Sequence, residues 1–225
     1  MPASAHLRPR RFDLVVFDWD GTLFDSTALI VHSIQAACAD LGLPVPDDER
    51  ASWVIGLSLR AAMAHAAPTI TEAQLPAMID RYRFHYLARQ HDLSLFPGVL
   101  DMLRALKQRH HWLAVATGKS RAGLDESLHA AALRGVFDGT RTADETRPKP
   151  DLQMLHELMR QFGTDPDRTL MIGDTTHDLQ LAANAGTASI AVAYGAHAPS
   201  EFATHSPLAV AGSVAELAAW LDAHA

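Results

Sequence analysis

The stretch whose reading decides the fold is Phe12-Asp13-Leu14-Val15-Val16-Phe17-Asp18-Trp19-Asp20-Gly21-Thr22-Leu23-Phe24-Asp25-Ser26. Leu14 to Phe17 is a short apolar run rich in β-branched residues, which suits a strand buried on both faces of a parallel sheet. Residues two apart on extended backbone point to the same side. Asp18 and Asp20 therefore leave the strand tip together, and Gly21 lets the chain turn after them. Two unit charges about 4 Å apart repel by roughly 4 kcal/mol at an effective dielectric near 20. A cation is needed to offset that repulsion, and a bound metal ion is the obvious candidate. The plain alternative is a polar loop that closes a core strand.

Working outward, 225 residues suffice for one large α/β domain, or for a core with a small second domain. Hydrophobic residues at 48% and charged residues at 20% describe an ordinary globular composition. A net charge of −7 argues against a nucleic-acid surface. One cysteine, Cys38, excludes an internal disulfide and fits a reducing compartment. The 13 histidines are scattered, and nothing near the His110-His111 pair has zinc-ligand spacing. Residues 1–11 lack the apolar region of a signal peptide and read as a mobile tail. No apolar run is long enough to span a membrane, so the expected location is cytoplasmic.

Ser26 to Leu41 has helical spacing, with Gly42 as a stop, and residues 51–95 read as mainly helical with breaks at Pro68 and Pro76. Tyr82, Tyr86 and Leu87 share one helix face there and read as packing between helices. Val99 to Lys107 is expected to be a helix with Leu100, Leu103 and Leu106 on one side. Trp112 to Ala116 is a second apolar strand, ending in Thr117-Gly118-Lys119-Ser120. A P-loop needs a first glycine where this chain has Leu113, so that reading is rejected. A hydroxyl and backbone amides between a strand and a helix still make an oxyanion cradle, or simply a helix N-cap at Thr117 or Ser120.

A short strand is expected within 135–142, and then Pro148 and Pro150 pin Lys149 between them. The helix that follows should bury Leu152, Leu155, Leu158, Met159 and Phe162 and stop at Gly163. Thr169 to Ile172 is a third buried strand, ending in Gly173-Asp174-Thr175-Thr176-His177-Asp178. Asp174 and Asp178 lie four apart, which would align them in a first helical turn, where acids are favoured anyway. A further strand at Ile190 to Ala193 and a helix opened by a Ser213–Glu216 capping box complete the chain.

Four motifs, in this order and each at a strand end or helix start, resemble those of the haloacid dehalogenase superfamily in its phosphatase form. They are Asp18-Trp19-Asp20-Gly21-Thr22, Thr117-Gly118, Lys149-Pro150 and Gly173-Asp174 with Asp178. The chain looks most like phosphoglycolate-phosphatase-type members. The resemblance implies an α/β fold, a Rossmann-like parallel sheet core over 12–25 and 96–225, with a small helical cap inserted over 26–95. It implies an Mg²⁺-dependent phosphomonoesterase acting on a small phosphorylated metabolite, phosphoglycolate-like or a sugar phosphate. Asp18 would be the nucleophile and Asp20 the acid and base. Thr117, Gly118 and Lys149 would bind the phosphoryl group. Asp18, the Asp20 backbone carbonyl and Asp174 would hold the metal, and Asp178 would orient a metal-bound water or Lys149.

Asp20 argues against a dehalogenase, which has no use for that acid. The absence of lysine from 26–95 argues against a phosphonate hydrolase. A phosphosugar mutase keeps both aspartates and stands as the alternative; a non-catalytic module on this fold is a more distant one. Gly56-Leu57-Ser58-Leu59-Arg60 looks like the family's specificity loop; Arg60 either overhangs the aspartates and clamps a second anionic group or is a solvent-exposed helix arginine.

Overall fold

A computed structural model describes residues 11–225, so all but the last residue of the expected tail lies outside the described residues. Five main strands alternate with helices: β1 (Leu14–Phe17), β2 (Trp112–Thr117), β3 (Gly139–Thr142), β4 (Thr169–Gly173) and β5 (Ala188–Val192), with a two-residue β6 (Val210–Ala211). The helices are α1 (Thr27–Asp40), α2 (Asp48–Trp53), α3 (Leu59–Ala66), α4 (Leu75–Arg89), α5 (Val99–Gln108), α6 (Arg121–Ala130), α7 (Gln153–Phe162), α8 (Thr176–Ala185) and α9 (Val214–His224). The sheet is wholly parallel in the order β3-β2-β1-β4-β5-β6, so the opening strand is central.

Alternation along β1 explains the two core layers. Val15 and Phe17 face an apolar cluster with Leu103, Leu124 and Leu217 from α5, α6 and α9. Leu14 and Val16 face the opposite cluster with Leu155, Leu158 and Leu181 from α7 and α8. A strand covered on both sides must be apolar at every position, which is why its sequence shows no alternation.

The four helices between β1 and α5 bury a third cluster of their own, centred on Ile34, Cys38, Met63 and Met78. The chain leaves and returns side by side: Asp25 N–H donates to Ser94 O at 2.9 Å, and Phe96 N–H to Leu23 O at 3.0 Å.

Several local expectations are corrected. Pro76 does not break a helix; it sits in the first turn of α4, where its missing N–H costs nothing. Leu100 is 39% exposed, and Met102 takes the inward position on α5 instead, because the buried face begins at Val99. The short strand expected within 135–142 does form, at Gly139–Thr142. Asp174 and Asp178 do not share a helical turn, since the helix is capped at Thr175, between them. Glu216 reaches back to the Gly212 N–H at 2.7 Å, so only the Ser213 half of the expected capping box forms.

Candidate active site

The register of β1 brings the site residues together. Phe17 pairs with Val115 on one side and Ile172 on the other. One residue further, the chain places Asp18 beside the ends of β2 and β4, and the Asp18 N–H still donates to Ile172 O at 2.8 Å. Thr117 ends β2 and Asp174 follows β4, so three of the four motifs meet at the carboxyl edge, where the strand order reverses direction.

Asp18, Asp174 and Asp178 are all buried, and one carboxylate oxygen of each lies within 4.8 Å of the others. Lys149, buried as well, reaches Asp18 Oδ1 at 2.7 Å and Asp178 Oδ1 at 2.6 Å. Thr22 Oγ1 donates to Asp174 Oδ1 at 2.7 Å, and the Ala196 N–H donates to Asp174 Oδ2 at 2.8 Å. Thr175 donates to Asp178 Oδ2 through its hydroxyl at 2.7 Å and its N–H at 3.1 Å, the second being half of a capping box at the start of α8. Asp18 Oδ2 has no hydrogen-bond partner.

Burial pushes the Asp18 carboxyl up to about 7 despite the neighbouring Lys149, with Asp178 adding to the rise. Asp174 is raised well above the usual carboxylate range, by burial first and then by Asp18 and Asp178. Burial alone would lower the Lys149 ammonium, but Asp178 and Asp18 outweigh it and hold its value above the ordinary one. Fully ionised, the three buried acids would outweigh the lysine they share, and Asp18 Oδ2 has no partner of its own. This donor set fits a hard divalent cation such as Mg²⁺.

Asp20 lies outside that cluster. Its Oδ1 accepts from the Ser26 hydroxyl at 2.6 Å, and both oxygens accept from Lys119 Nζ at 3.0 Å. Lys119 also sits 3.3 Å from Tyr86 Oη and 5.0 Å from the centre of its ring. Burial would lower the Lys119 ammonium, but Asp20, helped by Tyr86 and Tyr82, raises it. Thr117 is buried and its hydroxyl accepts from the Lys119 N–H at 3.2 Å, which positions that lysine.

The helical segment closes over this edge. A Cβ added at Gly118 would overlap the backbone carbonyl oxygens of Gly56 and Leu57, so the two loops touch through backbone. Trp53 O accepts from His177 Nε2 and His197 Nε2, each at 2.9 Å. Gln90 Nε2 donates to Glu126 Oε1 at 2.6 Å. Beneath lies a cavity of about 670 Å³ whose lining includes Asp18, Asp20, Thr117, Gly118 and Lys119. Arg60 also lines it, but its guanidinium pairs with Glu72 and both side chains are exposed. Tyr82 and Tyr86 are not merely inter-helical packing. They stack with ring centroids 5.8 Å apart and line the same cavity.

Sequence reasoning missed Lys119, Ser26 and the tyrosine pair. Lys119 stood inside a motif that was rejected as a P-loop, and its place next to Thr117 was the available signal.

The match to the Haloacid dehalogenase-like hydrolase family covers residues 15–192, and the chain belongs to that family. It is therefore a hydrolase of this class, built on its α/β fold. Among individual proteins, it is 35% identical to the probable phosphatase IndB of Dickeya dadantii, over 91% of each chain. It is 32% identical to the phosphoglycolate phosphatase of Pasteurella multocida, over 82% of this chain and 87% of that one. In structure it resembles a hydrolase from Pseudomonas syringae with a TM-score of 0.85, at 23% identity over 94% and 98% of the two chains.

Proposed function

We propose that this chain hydrolyses a phosphomonoester through a covalent phosphoryl intermediate on Asp18. The observation that carries this reading is the buried Asp18 at the sheet's carboxyl edge, with Lys149 Nζ at 2.7 Å and a second buried acid pair, Asp174 and Asp178, facing it. In the first step an Asp18 oxygen forms a bond to phosphorus as the ester P–O bond breaks, and the leaving oxygen takes a proton from Asp20. In the second, a water attacks the aspartyl phosphate and gives its proton to Asp20, releasing inorganic phosphate and restoring Asp18.

Lys149, the Thr117 hydroxyl and the Gly118 N–H are the groups that would balance charge on the phosphoryl oxygens. Ser26 and Lys119 hold the Asp20 carboxyl at the cavity. Asp18, the Asp20 backbone carbonyl and Asp174 would hold Mg²⁺, with Asp178 fixing Lys149; the ion would supply charge neutralisation of the phosphoryl group. The core, 12–25 and 96–225, would carry the chemistry, and the cap, 26–95, would exclude water and read the alcohol. The named activity of the Pasteurella relative supports a phosphorylated metabolite as substrate. For the mutase alternative no observation favours transfer to a second hydroxyl over release to water.

The test is phosphate release from p-nitrophenyl phosphate. Wild-type protein with Mg²⁺ should turn it over, EDTA should abolish turnover, and Asp18→Asn should lack it with the fold retained. Undiminished activity in EDTA or in Asp18→Asn would refute the mechanism.

A further inference from the structure

The cavity at Asp18 and Asp20 is large and much of its lining is aliphatic. At about 670 Å³ it lies within the roughly 300–1,000 Å³ range of pockets that enclose whole organic ligands, far more than a two-carbon acid needs. Its lining includes the aliphatic side chains of Ile30, Ile34, Val54, Leu57, Met63 and Ile79. Beside Asp20 the stacked Tyr82 and Tyr86 rings, inclined by 24° to one another, present an aromatic platform with the Lys119 ammonium 5.0 Å from the Tyr86 ring centre.

The charges in the lining do not suit a second anionic group. Its cations are Arg60, Arg83 and Lys119. Arg60 is tied to Glu72, Lys119 is tied to Asp20, and Arg83 is exposed. Besides Asp18 and Asp20 the lining holds two further acids, Glu126 and Asp144. A carboxylate on the alcohol portion would lose its water against aliphatic side chains, with only the exposed Arg83 among the lining cations not already held by an acid, which is costly. An apolar or aromatic group would gain from the same wall.

We propose that this cavity selects phosphomonoesters whose alcohol carries an aryl group, held against the Tyr82–Tyr86 pair and the aliphatic wall, in preference to small carboxylated or sugar phosphates. This rests on the phosphomonoesterase reading, and binding separates the two. Three probes would be compared with Mg²⁺ present: 2-phenylethyl phosphate, phosphoglycolate and glucose 6-phosphate. All three are esters of alkyl alcohols, so intrinsic leaving-group reactivity does not decide the order.

Wild-type kcat/KM for 2-phenylethyl phosphate should exceed that for each of the others by tenfold or more, chiefly through a lower KM. The Asp18→Asn protein should bind it at least tenfold more tightly than phosphoglycolate by titration calorimetry. Tyr82→Ala, a substitution at a partly exposed position, should erase most of that preference while leaving phosphoglycolate binding unchanged. Equal or better binding of phosphoglycolate, or a preference untouched in Tyr82→Ala, would overturn the assignment. Tight, Tyr82-dependent binding of the aryl ester without hydrolysis of any ester would uphold the cavity assignment and sink the phosphatase reading.

Discussion

Asp18 is the residue on which both the proposed chemistry and the energetics turn. Its carboxyl is raised from 3.8 to about 7, chiefly by burial. A folded-state value above the unfolded one favours the folded chain when the group is protonated. This contribution to stability is therefore intact below pH 3.8 and is lost as pH rises through about 7. A cation that binds the ionised carboxylates acts in the opposite sense, because it needs them deprotonated. Mg²⁺ should thus raise Tm little at pH 5.5 and distinctly more at pH 8, read by thermal unfolding with and without the ion; an equal rise at both would show that Asp18 does not bind it. Lys149 bridges Asp18 and Asp178. Lys149→Met should cost about 3–5 kcal/mol in urea unfolding, since it strands buried acids without their partner. Mg²⁺ should return part of that loss, and a loss under about 1 kcal/mol would mean the acids are already protonated or solvated.

At the scale of elements, strand ends and helix starts do the positioning. Thr175 caps α8 and donates twice to Asp178, which in turn holds Lys149. Thr175→Ala removes the cap hydroxyl, and the expected loss is about 1 kcal/mol with a fall in kcat from a displaced Lys149. Unchanged kcat at reduced stability would confine Thr175 to capping. The turn after β2 meets the loop between α2 and α3 through Gly118, where a Cβ would overlap the Gly56 and Leu57 carbonyl oxygens. Overpacking of this kind costs about 1–3 kcal/mol. Here the strain falls between two elements that can separate. Gly118→Ala should therefore keep its Tm within a few degrees, lose tenfold or more in kcat/KM, and speed amide exchange at residues 54–58. Slow exchange there together with full activity would show that the loops need not touch.

In the molecule as a whole, separate apolar clusters lie on either side of the active edge. One fills the space among α1, α2, α3 and α4, and the others flank the sheet. Polar connections cross the edge from Trp53 O to two histidines, from Gln90 to Glu126 and from Lys119 to Tyr86, and the Trp53 ring also packs on both histidine rings. The proposed cap should then loosen by itself. Met78 is fully buried in its cluster, and Met78→Ala should cost about 2–5 kcal/mol there. Hydrogen exchange should rise across 27–89 and stay slow in β1, β2 and β4. Uniform loss of protection over the whole chain would mean that 26–95 and the sheet unfold as one unit.

The apolar runs of β1, β2 and β4, the acids and hydroxyls at their ends and the helical stretch after the first motif were all legible in the sequence, because local pattern encodes them: a strand buried on both faces must be apolar, and a turn out of it must be polar or glycine. Asp18, Asp174, Asp178 and Lys149 could be picked out because the motifs that hold them resemble the family's, in order and in strand or helix context. Which of them touch was decided by the parallel register of three strands, since residues 18, 149 and 178 are brought together by pairings that no short window contains. The same holds for Lys119 on Asp20, for the tyrosine pair that turns from a helix stripe into a cavity wall, and for Arg60, whose guanidinium goes to Glu72 rather than over the aspartates. Side-chain partners across a fold depend on distances that only packing fixes, and helical spacing reads the same whether a face meets another helix or an empty cavity.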